Sequence, residues 1–380
     1  MTTSTHGTPA EETGTGTGTG PEQGPGQGDL KDAPGRTSPG GRLRRALTLL
    51  LTERVVLLAA LLVVLLVWMK VLDTGGYLLA PYDLPYLASA LETMVPLCIL
   101  GLAELLVMVS GRGGIDLSVG AMVSLTGMAF GYTVSEWGWS PLLAVPATLA
   151  AGALLGAVNG FLVARLGFPA LIATLATYYA YSSISLVASG NRPVSTAPVR
   201  DLHSMTSRVS LPGLPDVPMQ VFTFLLPCAV LVWLLVDRTT FGRKLYGVGT
   251  NDVAARFADV PVASVRLRAF TLSGLLSAVV AVVTVGQFAS ARPDAGTVGN
   301  GMALPAITIA VLGGVAITGG IGRVGGVVVA ALLVAWLNAG ILLAFEGSEG
   351  SRVQLLALGV LLVCSALLNS VTARRLGGLR

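Results

Sequence analysis

Apolar runs of about 20 residues alternate with short polar connections along most of this chain. A run of that length crosses a bilayer core as a helix. Ten are readable, near 51–71, 86–109, 117–135, 141–164, 170–188, 219–236, 265–286, 303–318, 325–345 and 353–371. The pattern predicts an all-α, polytopic membrane protein of about ten transmembrane helices, some of them interrupted. The membrane domain is expected over 45–372, followed by a C-tail at 373–380.

Several polar residues break the apolar pattern. The stretch GRGGIDLSVGAMVSLTG, Gly111–Gly127, sets Arg112, Asp116 and Ser118 among glycines between two apolar runs. A charged Asp at mid-bilayer costs about 2.5–3.5 kcal/mol on insertion scales. A broken helix survives there only if it is buried in protein or lines a wet cavity. Asp116 therefore either caps the next helix through free N–H groups or lines a solute pathway. Asn159, Thr174, Thr177 and Asn338 are further polar residues within spans, able to bond a solute or to bridge helices. Glu92 and Glu104 share one span, 12 residues apart, with no visible partner. Glu104 lies nearer the inner end, where solvation is expected to satisfy it. Gly152, Gly156 and Gly160 form a ridge of small residues, the pattern by which membrane helices pack closely.

Composition agrees with the pattern. The chain is 53% hydrophobic and 12% charged, with mean hydropathy +0.75. Residues 1–44 differ: EETGTGTGTGPEQGPGQGDLKDAPGRTSPGG contains almost nothing apolar and is expected to be a disordered cytoplasmic tail. It lacks the basic-then-apolar order of a signal peptide. With an even span count, 18 of the 24 Lys and Arg fall on the side that carries both termini. The positive-inside rule makes that side cytoplasmic.

Inspection excludes several chemistries. None of Lys31, Lys70 and Lys244 follows a glycine, so there is no P-loop. Neither His6 nor His203 precedes Glu, so HExxH is absent. Cys98, Cys228 and Cys364 have neither disulfide nor metal spacing and are expected to be small buried hydrophobes. No charge ring or filter sequence suggests a channel. No span carries the carboxylate and histidine clusters of a proton relay, which counts against an ion-coupled secondary transporter. Catalytic, cofactor, metal and nucleic-acid sites are not expected.

The connection 237–264 has a different rhythm. In NDVAARFADV, Asn251 or Asp252 can cap a helix, Val253, Phe257 and Val260 share one face, and Pro261 stops it. A short amphipathic helix of this kind suits docking to a partner or anchoring at headgroups. Farther on, GGVAITGGIGRVGG holds too many glycines for an undisturbed helix, since each costs about 1 kcal/mol against alanine.

Four motifs in order, GGIDLSVG, YGVGTNDVAARFADV, SARPDAGT and VLGGVAITGGIGRVGG, resemble the permease subunits of bacterial sugar importers of the ribose, xylose and galactose type. These belong to a superfamily shared with branched-chain amino-acid permeases, and the resemblance runs from about residue 45 to 371. It implies an ABC importer permease fold in the bacterial inner membrane. It implies ATP-driven import of a small polar solute, a monosaccharide first, with autoinducer-2, branched-chain amino acids or nucleosides as alternatives. Implied partners are two ABC ATPase subunits, a second permease chain and an extracytoplasmic solute-binding protein, with lipid around the spans. The binding protein would meet the outer loops 189–218, 287–302 and 346–351. The resemblance makes the 237–264 segment the ATPase-coupling element, with Gly249, Asn251, Asp252, Ala254, Ala255, Arg256 and Phe257 as its residues. The pathway candidates are Asp116, Ser118, Asn159, Thr174, Thr177 and Asn338. The chain departs from the family pattern at Thr250, Asp259 and Pro305, and its 298–302 loop is longer.

Overall fold

The computed structural model describes residues 54–377 apart from 211, 212, 214, 299 and 300, with side chains described as far as Leu367. The tail expected over 1–44 lies outside the described residues.

Twelve helices organise the described chain. They are α1 (Arg54–Thr74), α2 (Leu91–Val109), α3 (Val119–Ser135), α4 (Pro141–Ala164), α5 (Ala170–Ala188), α6 (Val221–Arg238), α7 (Thr240–Thr250), α8 (Asp252–Phe257), α9 (Val262–Phe288), α10 (Ala303–Leu312), α11 (Val324–Ala344) and α12 (Gly347–Gly377). A turn of helix, Leu84–Ser89, leads into α2 and forms one span with it. Eight helical segments are long and apolar enough to cross a membrane, while α3 and α10 are shorter. The eight match eight of the ten expected spans, and α3 and α10 lie at the positions of the other two. A two-stranded ribbon, β1 (Arg208–Val209) and β2 (Val217–Pro218), is the sheet among the described residues.

The spans differ in what surrounds them. The most apolar windows of the α2 and α9 spans are 83% buried, against 11% for α1 and α12. α2 and α9 therefore form the protein's interior, and the apolar sides of α1 and α12 face outward. Cys364, expected to be buried, is exposed on α12, whereas Cys98 and Cys228 are buried.

The glycine ridge is confirmed. A Cβ at Gly152 or Gly156 would collide with backbone atoms of Gly274 and Phe270, and one at Gly160 would lie 2.9 Å from Leu267 Cα. α4 thus lies directly on the backbone of α9, which a side chain at any of these positions would prevent.

Three expectations are corrected. α10 ends at Leu312, before residue 318, because Gly313 and Gly314 follow and Gly314 adopts φ +92°. α8 ends at Phe257, short of Pro261, and Asp259 turns the chain at φ +56°. The stretch after α9 is not a surface loop. Ala291 pairs with Val194 and packs on Gly131, while Gly296 packs on Gly120. Those two α3 glycines are eleven residues apart, so the loop descends roughly 16 Å along α3 at 1.5 Å per residue. Its polar backbone is satisfied inside the protein. The Gly296 N–H donates to Ser124 Oγ at 2.9 Å, and Ser185 Oγ donates to Pro293 O at 2.9 Å. Irregular chain at membrane depth requires such internal partners.

Candidate functional site

The break between α2 and α3 is built by backbone geometry. Gly111, Arg112 and Gly113 have φ of +82°, +57° and +63°, which turns the chain back into the protein. Asp116 then enters the core with no exposed surface. Its Oδ1 accepts from the Ser118 N–H at 3.1 Å and the Ser118 hydroxyl at 2.6 Å, and its Oδ2 accepts from the Ser273 hydroxyl at 3.0 Å. Asn159 Nδ2 donates to Ser118 Oγ at 2.7 Å, and the Asp116 N–H donates to Glu104 Oε2 at 3.3 Å. Glu104, Asp116, Ser118, Asn159 and Ser273 are all wholly buried. Five polar residues from α2, the break, α4 and α9 form one dry cluster.

The pathway candidates separate. Asp116, Ser118 and Asn159 meet in the cluster. Thr174 lies beside it, with its hydroxyl 3.2 Å from Ile115 O and 2.8 Å from Ala170 O. Thr177 bonds back into its own helix, to Ala173 O and Thr174 O at 3.1 Å. Asn338 stands elsewhere, on α11, where its backbone carbonyl accepts from Gln354 Nε2 at 3.2 Å. The cap expected of Asp116 is not made to α3 itself: its carboxylate closes a turn by accepting from the Ser118 N–H two residues on, and Ser118, the residue before the helix, makes no side-chain cap bond of its own.

Sequence reasoning found no partner for Glu104 and missed Ser273. Glu104 lies wholly buried, not at a solvated helix end, and its Oε2 accepts from the Asp116 N–H, while Glu92 pairs with Arg208 at 2.9 Å. Ser273 carried a readable signal. Arg266, Ser273, Ser277 and Thr284 recur at intervals of seven, four and seven, which is one face of α9, and all four are buried. This stripe is where α9 carries polar groups inward.

A second cluster forms at the end of the bundle where α7 and α8 lie. Asn251 caps α8, its Oδ1 accepting from Val253 and Ala254 N–H at 3.1 and 3.0 Å. That cap orients Asp252, whose Oδ2 meets Arg112 at 2.7 Å, Arg266 at 3.2 Å and Arg256 at 3.9 Å. Arg266 also donates to Ser110 O at 3.3 Å. Burial raises the Asp252 carboxyl, but the Arg266 hydrogen bond and the charges of Arg112, Arg266 and Arg256 outweigh it and hold the group below the usual carboxylate range. Arg112, Arg165, Arg256 and Arg266 line a cleft of ≈ 470 Å³ beside it. The remaining candidates divide by exposure. Phe257 is 90% exposed and Ala254 and Arg256 are exposed, while Ala255 is buried inward. Gly249 is half-buried and closely packed. A Cβ there would strike Val109 O and Gly320, and Gly111 and Gly319 pack against the same point. The Gly320 N–H donates to Val109 O at 3.0 Å and Tyr246 donates to Gly322 O at 2.7 Å. Three glycine motifs far apart in sequence thus cross backbone to backbone.

Comparison with known proteins agrees with this architecture. A family model described as branched-chain amino acid transport system / permease component matches residues 86–366. The chain is 32% identical over 294 residues to the autoinducer 2 import system permease protein LsrD of Photorhabdus luminescens, covering 74% of this chain and 83% of the relative. It is 36% identical over 263 residues to the LsrD protein of Klebsiella pneumoniae, covering 68% and 76%. The LsrD protein of an Enterobacter species is 35% identical over 265 residues, covering 68% and 77%. No solved structure matches the chain at a significant level. With the match spanning nearly all the described helices, the chain belongs to the branched-chain amino acid transport system permease family and is a membrane transport subunit of the ABC importer type.

Proposed function

We propose that this chain is one of two permease subunits that import a small, hydroxyl-rich solute across the bacterial inner membrane. The energy comes from ATP hydrolysed on two separate ATPase subunits, and an extracytoplasmic binding protein delivers the solute. Autoinducer-2 is the first solute proposed, and a monosaccharide of similar size is the second. The observation that carries this reading is the identity to autoinducer 2 import permeases along most of the membrane domain. The 18-to-6 division of basic residues supports placing both termini, and the α7–α8 segment, in the cytoplasm.

The proposed mechanism is alternating access. α8 docks in a cleft of the ATPase with Phe257 outward as its anchor. Movement of α8 is carried inward by Asp252, held to Arg266 on α9 and to Arg112 in the break. The same helix carries Ser273, seven residues on, against Asp116. Closure of the ATPase pair thus acts on the dry cluster, and tilting of the spans around it opens the pathway.

The test is uptake by cells or proteoliposomes carrying this permease with its ATPase and binding protein. ATP-dependent autoinducer-2 uptake that ribose competes with only weakly is expected. Uptake of ribose or of a branched-chain amino acid, with none of autoinducer-2, would overturn the solute assignment.

A further inference from the structure

Charge accounting at the α7–α8 end of the bundle leaves a surplus of cations. Arg112, Arg266 and Arg256 all converge on one oxygen, Asp252 Oδ2, at 2.7, 3.2 and 3.9 Å. Arg165, the residue after α4, lines the same cleft of ≈ 470 Å³ and forms no ion pair among the described residues. Four guanidinium groups thus share one carboxylate, which leaves three positive charges around open space. Arg266 is the buried member, with its side chain 6% exposed and held by Asp252 and Ser110 O. The other three keep their side chains toward water. Arg256, at 3.9 Å from Asp252, is beyond hydrogen-bond reach of it. Neither Arg256 nor Arg165 spends a side-chain donor within the described residues, and each guanidinium offers a fork of N–H groups that matches phosphate.

The cleft has an apolar wall as well. Val163 and Leu166 line it, and an adjoining hollow of ≈ 120 Å³ shares Arg112, Val163 and Arg266 with it and adds Phe168. Leu166 and Phe168 are 55% and 49% exposed, and exposed apolar residues continue onto α5 at Leu171 and Ile172. The cleft lies where α4 ends at Ala164 and α9 begins at Val262. Its charged part therefore sits at the end of two spans, and its apolar part runs onto the outer surface of a third. A free anion, or an acidic segment of a soluble partner, would use the arginines alone. An anionic amphiphile uses both parts. We propose that the cleft seats an anionic phospholipid, with Arg112, Arg165 and Arg256 around its phosphate and an acyl chain along Leu166 and Phe168. Basic pockets between membrane helices take anionic headgroups on the same physical grounds. Arg165 follows α4 and Arg256 lies on α8, so the headgroup ties the end of a span to the segment that carries Asp252 and Phe257. The site is independent of the solute carried.

The full-length chain in a non-ionic detergent provides the test, titrated with phosphatidylglycerol or phosphatidylcholine at fixed ionic strength while thermal unfolding is followed. Binding to the native state raises the midpoint, and the rise grows with ligand concentration. A saturable rise with phosphatidylglycerol is expected, and none with phosphatidylcholine. Arg165→Gln and Arg256→Gln alter exposed side chains, so both should melt like the wild type without added lipid. Each should raise the half-saturating phosphatidylglycerol concentration roughly fivefold. Arg243→Gln, exposed on α7 at the same end but outside the cleft, should leave it unchanged. Equal responses to the two lipids would overturn the site. So would an equal loss in Arg243→Gln and Arg165→Gln, because diffuse surface charge would then explain the response. Inorganic phosphate that reproduces the whole rise would make this a free-anion site and defeat the lipid assignment. Loss of the phosphatidylglycerol response once the ATPase is bound would give the cleft to an acidic face of that partner, and would also overturn it.

Discussion

Asp116 and Asp252 begin at similar places, each just ahead of or at the first turn of a helix, and each reaches the same face of α9. Asp116 does so through Ser273 and Asp252 through Arg266, seven residues earlier. Their partners differ in kind. Asp116 is met by neutral hydroxyls and an N–H in a wholly buried setting, while Asp252, 15% exposed at its side chain, is met by three arginines. Position explains the contrast. Taking a guanidinium into a dry core costs more than its pairing returns unless geometry and further bonds are excellent. At the bundle end Arg112 and Arg256 keep 61% and 59% of their side chains in water, so their charge costs little. The first cluster is wholly shut off from solvent, whereas the second keeps two of its three guanidinium groups in contact with it.

Breaking the dry cluster should have the largest effect. Asp116→Leu strands two hydroxyls and an N–H, each orphan costing about 1–3 kcal/mol. Little folded protein is expected in the membrane, measured by fluorescence-detected size exclusion. Asp116→Asn, which can still accept from the Ser118 N–H, should retain normal levels. Leu at wild-type level would mean that the cluster does not hold the break together.

Next is the outward anchor. Phe257 is 90% exposed, so Phe257→Ala should not change the melting temperature of the permease. As a docking anchor its loss would cost at least about 2 kcal/mol of binding, or roughly thirtyfold in affinity. Unchanged co-purification of the ATPase, with unchanged solute-stimulated hydrolysis, would remove Phe257 from the interface.

The smallest change separates docking from transmission. Asp252→Asn leaves Phe257 in place but weakens the tie to Arg266 and Arg112. The ATPase should still co-purify while stimulated hydrolysis falls several-fold, and Asp252→Glu should restore part of it. The effect should be flat between pH 6 and 8. Asp252 has its folded-state pKa lowered, so its contribution is complete above the unfolded value of about 3.9 and disappears only as pH falls through the lower folded value. A steep change in coupling near neutrality would assign transmission to another group.

Much of the fold was legible because periodicity and span length report burial in lipid directly. Eight crossing helices, the Gly152–Gly160 ridge and a cap at Asn251 or Asp252 could be read from residue type and spacing. The loop after α9 was not, since its small and polar residues read as surface. Only the facing glycines of α3, Gly120 and Gly131, make room for it inside. In the candidate site, Asp116 and Ser118 announced themselves as polar residues in an apolar run. Glu104 appeared isolated because its partner, the Asp116 N–H, is a backbone group that any residue there would present.

Sequence alone determined that this chain is an all-helical membrane protein with a broken helix at Gly111–Ser118 and a short amphipathic element at 251–257. These follow from local chemistry: apolar length, glycine freedom and capping. Tertiary structure decided which polar residues meet. It gathered Glu104, Asp116, Asn159 and Ser273 into one dry cluster, sent Asn338 elsewhere, and placed Gly249 in a backbone crossing with Gly111 and Gly320. A polar side chain in a span must find some partner, and its type says only that it needs one. Which partner it finds depends on how closely the helices approach, and that distance is set by small residues on other segments.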